Sequence, residues 1–165
     1  MTKQLPLVFI GPMGSGKTRI GRRVARALGV RFIDTDKVIA AEHGAITGIF
    51  ETYGEAHFRA LERQAVADAL GESAVVSLGG GAVLDAESQH LLERHTVIEL
   101  TVAADAVLAR MNTSKRPLLK DGTDAWQRIY DERRPIYTRL ATVSFDTSAR
   151  PISRIADEIT AWATQ

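Results

Sequence analysis

The stretch that most constrains this chain is Gly11-Pro12-Met13-Gly14-Ser15-Gly16-Lys17-Thr18, which fits the phosphate-cradling pattern G-x-x-x-x-G-K-[ST]. An apolar run from Leu5 through Leu7-Val8-Phe9-Ile10 enters it. Ile20, Val24, Ala27 and Leu28 leave it at helical spacing, with Arg19, Arg22, Arg23 and Arg26 between them. The loop therefore lies between a buried strand and a helix N-terminus, where backbone N–H groups and the positive end of the helix converge on an anion. Gly11, Met13, Gly14, Ser15, Gly16, Lys17 and Thr18 are expected around a nucleotide's phosphates. Lys17 reaches the β- and γ-phosphates, and the Thr18 hydroxyl holds Mg²⁺.

The rest of the chain limits what can surround this loop. Its 165 residues suffice for one domain, 1–165, with a real core. A net charge of +1 points to no nucleic-acid or membrane partner. The absence of cysteine excludes a disulfide framework, a thiolate nucleophile and a zinc–thiolate site. No signal-peptide pattern precedes the first strand, and no apolar stretch approaches the ~18 residues that span a membrane. A cytoplasmic protein is expected. No long apolar pattern asks for a partner, so a monomer is expected too.

Five strand signals alternate with helical ones: Leu5–Ile10, Arg31–Ile33, Ala74–Leu78, Thr96–Leu100 and Thr142–Asp146. Helical patterns cover Gly16–Leu28, Lys37–His43, Ala45–Tyr53, Glu55–Leu70, Ala86–Arg94, Ala103–Met111, Asp124–Arg134 and Ile152–Trp162. Pro135 does not plainly end the helix before it. This alternation predicts an α/β fold, a parallel sheet flanked by helices that binds ligands at the strand carboxyl ends. Asn112–Thr123 is polar, basic and without periodicity, as lids and binding loops are.

Several chemistry-bearing groups follow strands. Asp34 and Asp36 end the second. A carboxylate there can hold the water shell of Mg²⁺, and a second can take a proton from an attacking hydroxyl. The same residues also suit an Asx turn, with Thr35 or Asp36 capping the next helix. Gly79-Gly80-Gly81 ends the third strand and suits either close backbone approach to a ligand or a tight turn. On spacing alone, Arg59 pairs with Glu62 as a solvated surface charge. Arg116 sits in the basic loop, where a mobile arginine can close over a γ-phosphate.

Taken in order, the P-loop, Phe32-Ile33-Asp34-Thr35-Asp36, Gly54-Glu55-Ala56-His57-Phe58-Arg59, Leu78-Gly79-Gly80-Gly81, Arg116-Pro117-Leu118-Leu119 and Arg133-Arg134-Pro135-Ile136-Tyr137 resemble shikimate kinases from about residue 7 to residue 147. The resemblance implies a three-layer P-loop fold with a five-stranded parallel sheet ordered 2-3-1-4-5 and a lid loop. The shikimate-binding subregion would cover about 33–62 and the lid about 112–123. It implies transfer of the γ-phosphate of ATP to the 3-hydroxyl of shikimate, with Mg²⁺, on the way to chorismate and the aromatic amino acids.

It also implies roles. Lys17 and Thr18 serve ATP and Mg²⁺, and Asp34 is linked to the metal. Asp36 bonds the shikimate hydroxyls and acts as base. Arg59 and Arg133 grip the shikimate carboxylate. Gly79, Gly80 and Gly81 line the substrate, and Phe50 and Phe58 wall it. Arg116 is the lid arginine and Arg110 packs on adenine. Arg150 lies in the segment that covers adenine. Arg19, beside the P-loop, takes a position where the family often carries Ser or Thr that contacts nucleotide. A gluconate kinase of the same fold, or a nucleotide-binding module without catalysis, are the alternatives. The module would have no need of Asp36, Arg59 and Arg133 together.

Overall fold

The computed structural model describes residues 2–114 and 123–165, with the backbone alone over 111–114. Arg116 and residues 115–122 of the expected lid lie outside the described residues. The elements run β1 (Leu7–Ile10), α1 (Lys17–Leu28), β2 (Arg31–Asp34), α2 (Thr35–His43), α3 (Ile46–Tyr53), α4 (Glu55–Leu70), β3 (Ala74–Ser77), a 3₁₀ turn (Ala82–Leu84), α5 (Ala86–Leu92), β4 (Thr96–Thr101), α6 (Ala104–Ser114), α7 (Asp124–Leu140), β5 (Val143–Asp146) and α8 (Ile152–Ala163).

β1 is an unbroken apolar run because it is covered on both faces. Its four residues are at most 1% exposed. Val8 and Ile10 point into a core with Val76, Val97, Trp126 and Tyr137, and Leu7 and Phe9 point into the opposite one with Ile20, Val24, Ile155 and Ile159. Each such side chain contributes about 1.5–3 kcal/mol on burial. Strands on either side pair with β1 in parallel, giving the expected order β2-β3-β1-β4-β5. The order reverses at β1, and a crevice opens there at the strand carboxyl ends. The P-loop, Asp34 and the glycine triplet all emerge at that edge. A third, smaller cluster of Ile39, Ile49, Phe58 and Ala65 packs α2, α3 and α4 together.

Three local readings are corrected. α2 starts at Thr35 because Asp34, rather than Thr35 or Asp36, caps it: Asp34 Oδ1 accepts from the N–H of Asp36 at 3.0 Å and of Lys37 at 3.3 Å. α7 runs past Pro135 to Leu140. Proline removes the bond to the Asp131 carbonyl, but Asp131 and Pro135 are both exposed, so water can serve that carbonyl. The helix expected to end at Met111 extends to Ser114. Among the described residues, no helix is long and apolar enough to cross a membrane.

Candidate active site

The P-loop turns on left-handed glycines, with φ of 82° at Gly14 and 97° at Gly16. Its carbonyls are held by side chains. Lys17 Nζ donates to Gly11 O at 2.6 Å and to Pro12 O at 3.0 Å. Met13 O accepts from Trp126 Nε1 at 2.7 Å, Gly14 O from Arg110 Nη1 at 2.8 Å, and Ser15 O from Thr147 Oγ1 at 2.7 Å. Burial pulls the Lys17 ammonium down to about 8, against the opposing fields of Asp36 and Asp34. The Thr18 hydroxyl donates to Asp34 Oδ2 at 3.3 Å, so Asp34 caps α2 with one oxygen and faces the loop with the other.

Each glycine of the triplet leaves room for a charged group. A Cβ on Gly79 would lie 2.6 Å from Asp36 Oδ1, one on Gly80 3.2 Å from Arg133 Nη1, and one on Gly81 2.7 Å from Arg59 Nη2. The triplet makes the turn into the 3₁₀ segment, the second of the two sequence alternatives, and it also admits the side chains of Asp36, Arg133 and Arg59. Tyr137, fully buried on α7, donates to Gly80 O at 2.6 Å and fixes that turn from below. Burial pushes the Tyr137 hydroxyl up to about 12, so it stays a donor.

Arg59 is not a solvated surface charge. Its guanidinium faces Gly81 and donates to Glu62 Oε1 at 2.7 Å, where the Glu62 side chain is only 4% exposed. Spacing gives the partner of Arg59 but not the side of α4 that is covered. Burial, then the nearby Asp36 charge, raise the Glu62 carboxyl above its ordinary range, while Arg59 opposes the shift. Phe58 stacks on Phe50 at 4.8 Å and lies under Arg59.

A cleft of about 880 Å³ joins these parts. One wall is the P-loop with Arg19, Arg110 and Ile152, and the other is Asp36, Gly79, Gly80 and Arg133. Arg59, Gly81 and the two phenylalanine rings stand just beyond its lining. Arg150 is absent from the lining and pairs with Glu158, whereas Ile152 reaches the loop at Gly16. Six cations (Lys17, Arg19, Arg22, Lys37, Arg110, Arg133) face two carboxylates in the lining, so the cleft draws anions. Burial, then Asp34, raise the Asp36 carboxyl, and Lys17 and Arg59 only partly offset them. A carboxylate in that position is a stronger base than an exposed one.

Sequence reasoning missed Trp126, Thr147, Glu62 and Tyr137 as members of the site. Trp126 and Thr147 lie 113 and 132 positions from the carbonyls they hold, and no local pattern encodes such contacts.

The sequence profile described as shikimate kinase matches residues 13–164. A shikimate kinase of Salinispora arenicola is 43% identical over 158 residues, covering 93% of this chain and 95% of that one. The solved structure described as shikimate kinase from Acinetobacter baumannii in complex with shikimate superposes with a TM-score of 0.86 at 32% identity, covering 97% of this chain and 93% of that one. A gluconokinase structure from Sinorhizobium meliloti reaches a TM-score of 0.66 at 18% identity over 99% of this chain and 93% of that one, a likeness of fold alone.

Proposed function

The chain belongs to the shikimate kinase family, and on that premise we propose that it transfers the γ-phosphate of ATP to the 3-hydroxyl of shikimate, giving shikimate 3-phosphate and ADP on the route to the aromatic amino acids. The observation that carries the reading is one cleft with a P-loop on one wall and, on the other, a base-like carboxylate beside arginines.

The P-loop and Lys17 hold the phosphates of ATP. Lys17 exchanges the carbonyls of Gly11 and Pro12 for phosphate oxygens. Arg19 and Arg110 add positive charge along the donor wall. Arg59 and Arg133 grip the carboxylate of shikimate, a group suited to guanidinium forks. Glu62 keeps the Arg59 guanidinium turned toward Gly81. Asp36 accepts the proton of the 3-hydroxyl as its oxygen bonds to the γ-phosphorus. The bond from that phosphorus to the β–γ bridging oxygen breaks, and ADP leaves with the electron pair. Arg116 is assigned to the closing lid.

A hydroxyl and a carboxylate oxygen, Thr18 Oγ1 and Asp34 Oδ2, stand together at the phosphate end of the cleft, and this hard-oxygen pair fits Mg²⁺ bound largely by phosphates and waters. When bound, the ion neutralises charge on the β- and γ-phosphates. The protein acts in the cytoplasm as a monomer.

The reading is tested by incubating the protein with ATP, Mg²⁺ and shikimate and assigning the product by ³¹P–¹H correlation. A phosphate on the 3-oxygen is expected. Phosphate on another oxygen, or none, contradicts it.

A further inference from the structure

Three consecutive P-loop carbonyls, those of Met13, Gly14 and Ser15, are each held by a side chain from a different part of the fold. In a trans peptide, the carbonyl of one residue and the N–H of the next point in opposite directions. Fixing the carbonyl of Met13 therefore fixes the N–H of Gly14, and fixing that of Ser15 fixes the N–H of Gly16. Gly14 and Gly16 both line the cleft. Their left-handed φ values leave those peptide planes less constrained than a helix would, so an outside restraint has something to restrain.

The holding groups are rigid. Thr147 is fully buried, and its own N–H donates to Thr101 O at the end of β4 at 2.8 Å. Its hydroxyl also approaches Thr101 O at 3.2 Å. Trp126 is 4% exposed and packs on Tyr130, with ring centroids 5.2 Å apart. Thr147 lies outside the lining of the cleft, and Trp126, which is part of that lining, acts on the loop through its indole N–H on Met13 O.

We propose that Thr147 and Trp126 are positioning residues of the nucleotide site: each turns one P-loop carbonyl outward, toward the core, and so aims the Gly16 and Gly14 N–H groups at the phosphates of the nucleotide. The loop then reaches its binding geometry before the nucleotide arrives, and little binding energy goes into ordering it. The inference rests on the P-loop being the ATP site, and it adds the residues that make it one.

The test is ADP binding by calorimetry without shikimate, together with the KM of each substrate, for the wild type and for Thr147→Val, Thr147→Ser and Trp126→Phe. Losing one such hydrogen bond weakens ADP binding and raises the KM for ATP about three- to tenfold. The KM for shikimate stays within about twofold, and Thr147→Ser, which keeps the hydroxyl, returns ADP affinity to near the wild-type value. A general loosening of the fold would move both KM values together, and that result overturns the proposal. So does unchanged ADP affinity in Thr147→Val. If Thr147→Val does not fold, Trp126→Phe carries the same expectation, and unchanged ADP affinity there overturns it equally. Wild-type protein that bound no ADP would remove the P-loop assignment itself and this inference with it.

Discussion

The Asp36 carboxylate occupies the space that a side chain on Gly79 would need: a Cβ there would lie 2.6 Å from Asp36 Oδ1 and 2.8 Å from Oδ2. Contacts that short are repulsive, so either the carboxylate or the loop must move. Gly79→Ala is expected to lower kcat by about a hundredfold, the scale of a displaced general base, while ADP affinity stays unchanged. Steady-state kinetics and ADP calorimetry on the one variant decide it. An undiminished kcat removes Gly79 from the account.

Asp36→Asn is expected to abolish turnover while ATP still binds. It should also stabilise the protein near neutral pH. The Asp36 carboxyl is raised from 3.8 in the folded chain, by burial first and Asp34 second. Below 3.8 it is neutral in both states and costs nothing. As pH climbs from there through the raised folded value, the unfolded chain ionises first and folding stability falls. The asparagine variant avoids that loss, with roughly 2–4 °C in Tm for each kcal/mol relieved. Melting curves across pH should show the gain at pH 7 and its disappearance in acid. A Tm that falls at pH 7 would contradict this.

Lys17 should take up a proton when nucleotide binds in mildly alkaline solution. Burial holds it at about 8 in the free protein, and an adjacent phosphate favours its charged form. At pH 8 about half a proton should be absorbed per ADP bound, and ADP affinity should decline as pH rises further. Calorimetry in two buffers of different ionisation enthalpy reads the proton directly. No uptake at pH 8 would contradict the depressed value.

On the acceptor side, Arg133→Ala should raise the shikimate KM roughly ten- to a hundredfold, the cost of a lost charge-assisted bond. Glu62→Gln should raise it severalfold by freeing Arg59, which Glu62 holds at 2.7 Å. Both should leave ADP affinity unchanged. An unchanged shikimate KM in Arg133→Ala removes Arg133 from the site.

The donor half of this cleft was legible in the sequence because its residues are contiguous. A strand, eight residues and a helix specify Gly11–Thr18 without help from the rest of the chain. The sheet was legible for a similar reason, since each buried strand is a short apolar run between helical patterns. On the opposite wall, Asp36 and the glycine triplet stood out because they end strands, whereas Arg59 and Arg133 were picked out only through resemblance. Arg59 and Glu62 read as a surface pair because i,i+3 spacing is the same on a wet face as on a covered one. The helical pattern of α7 was legible to Arg134 with Pro135 left open as its end, because proline's cost depends on whether the freed carbonyl is wet. The outer holds on the P-loop, Trp126 and Thr147, left no trace, since each is a single side chain meeting a backbone carbonyl far away in sequence. Arg150 pairs with Glu158, and its neighbour Ile152 is the residue of that segment that lines the cleft.

The central claim is that one cleft joins a nucleotide's phosphates to a small hydroxylated acid. It is tested most directly by a coupled ADP-release assay run in parallel with shikimate and with gluconate at equal concentration. The account predicts ADP release that depends on shikimate, with gluconate at the no-acceptor background. Release with gluconate to match shikimate, or none above background with either, would contradict it.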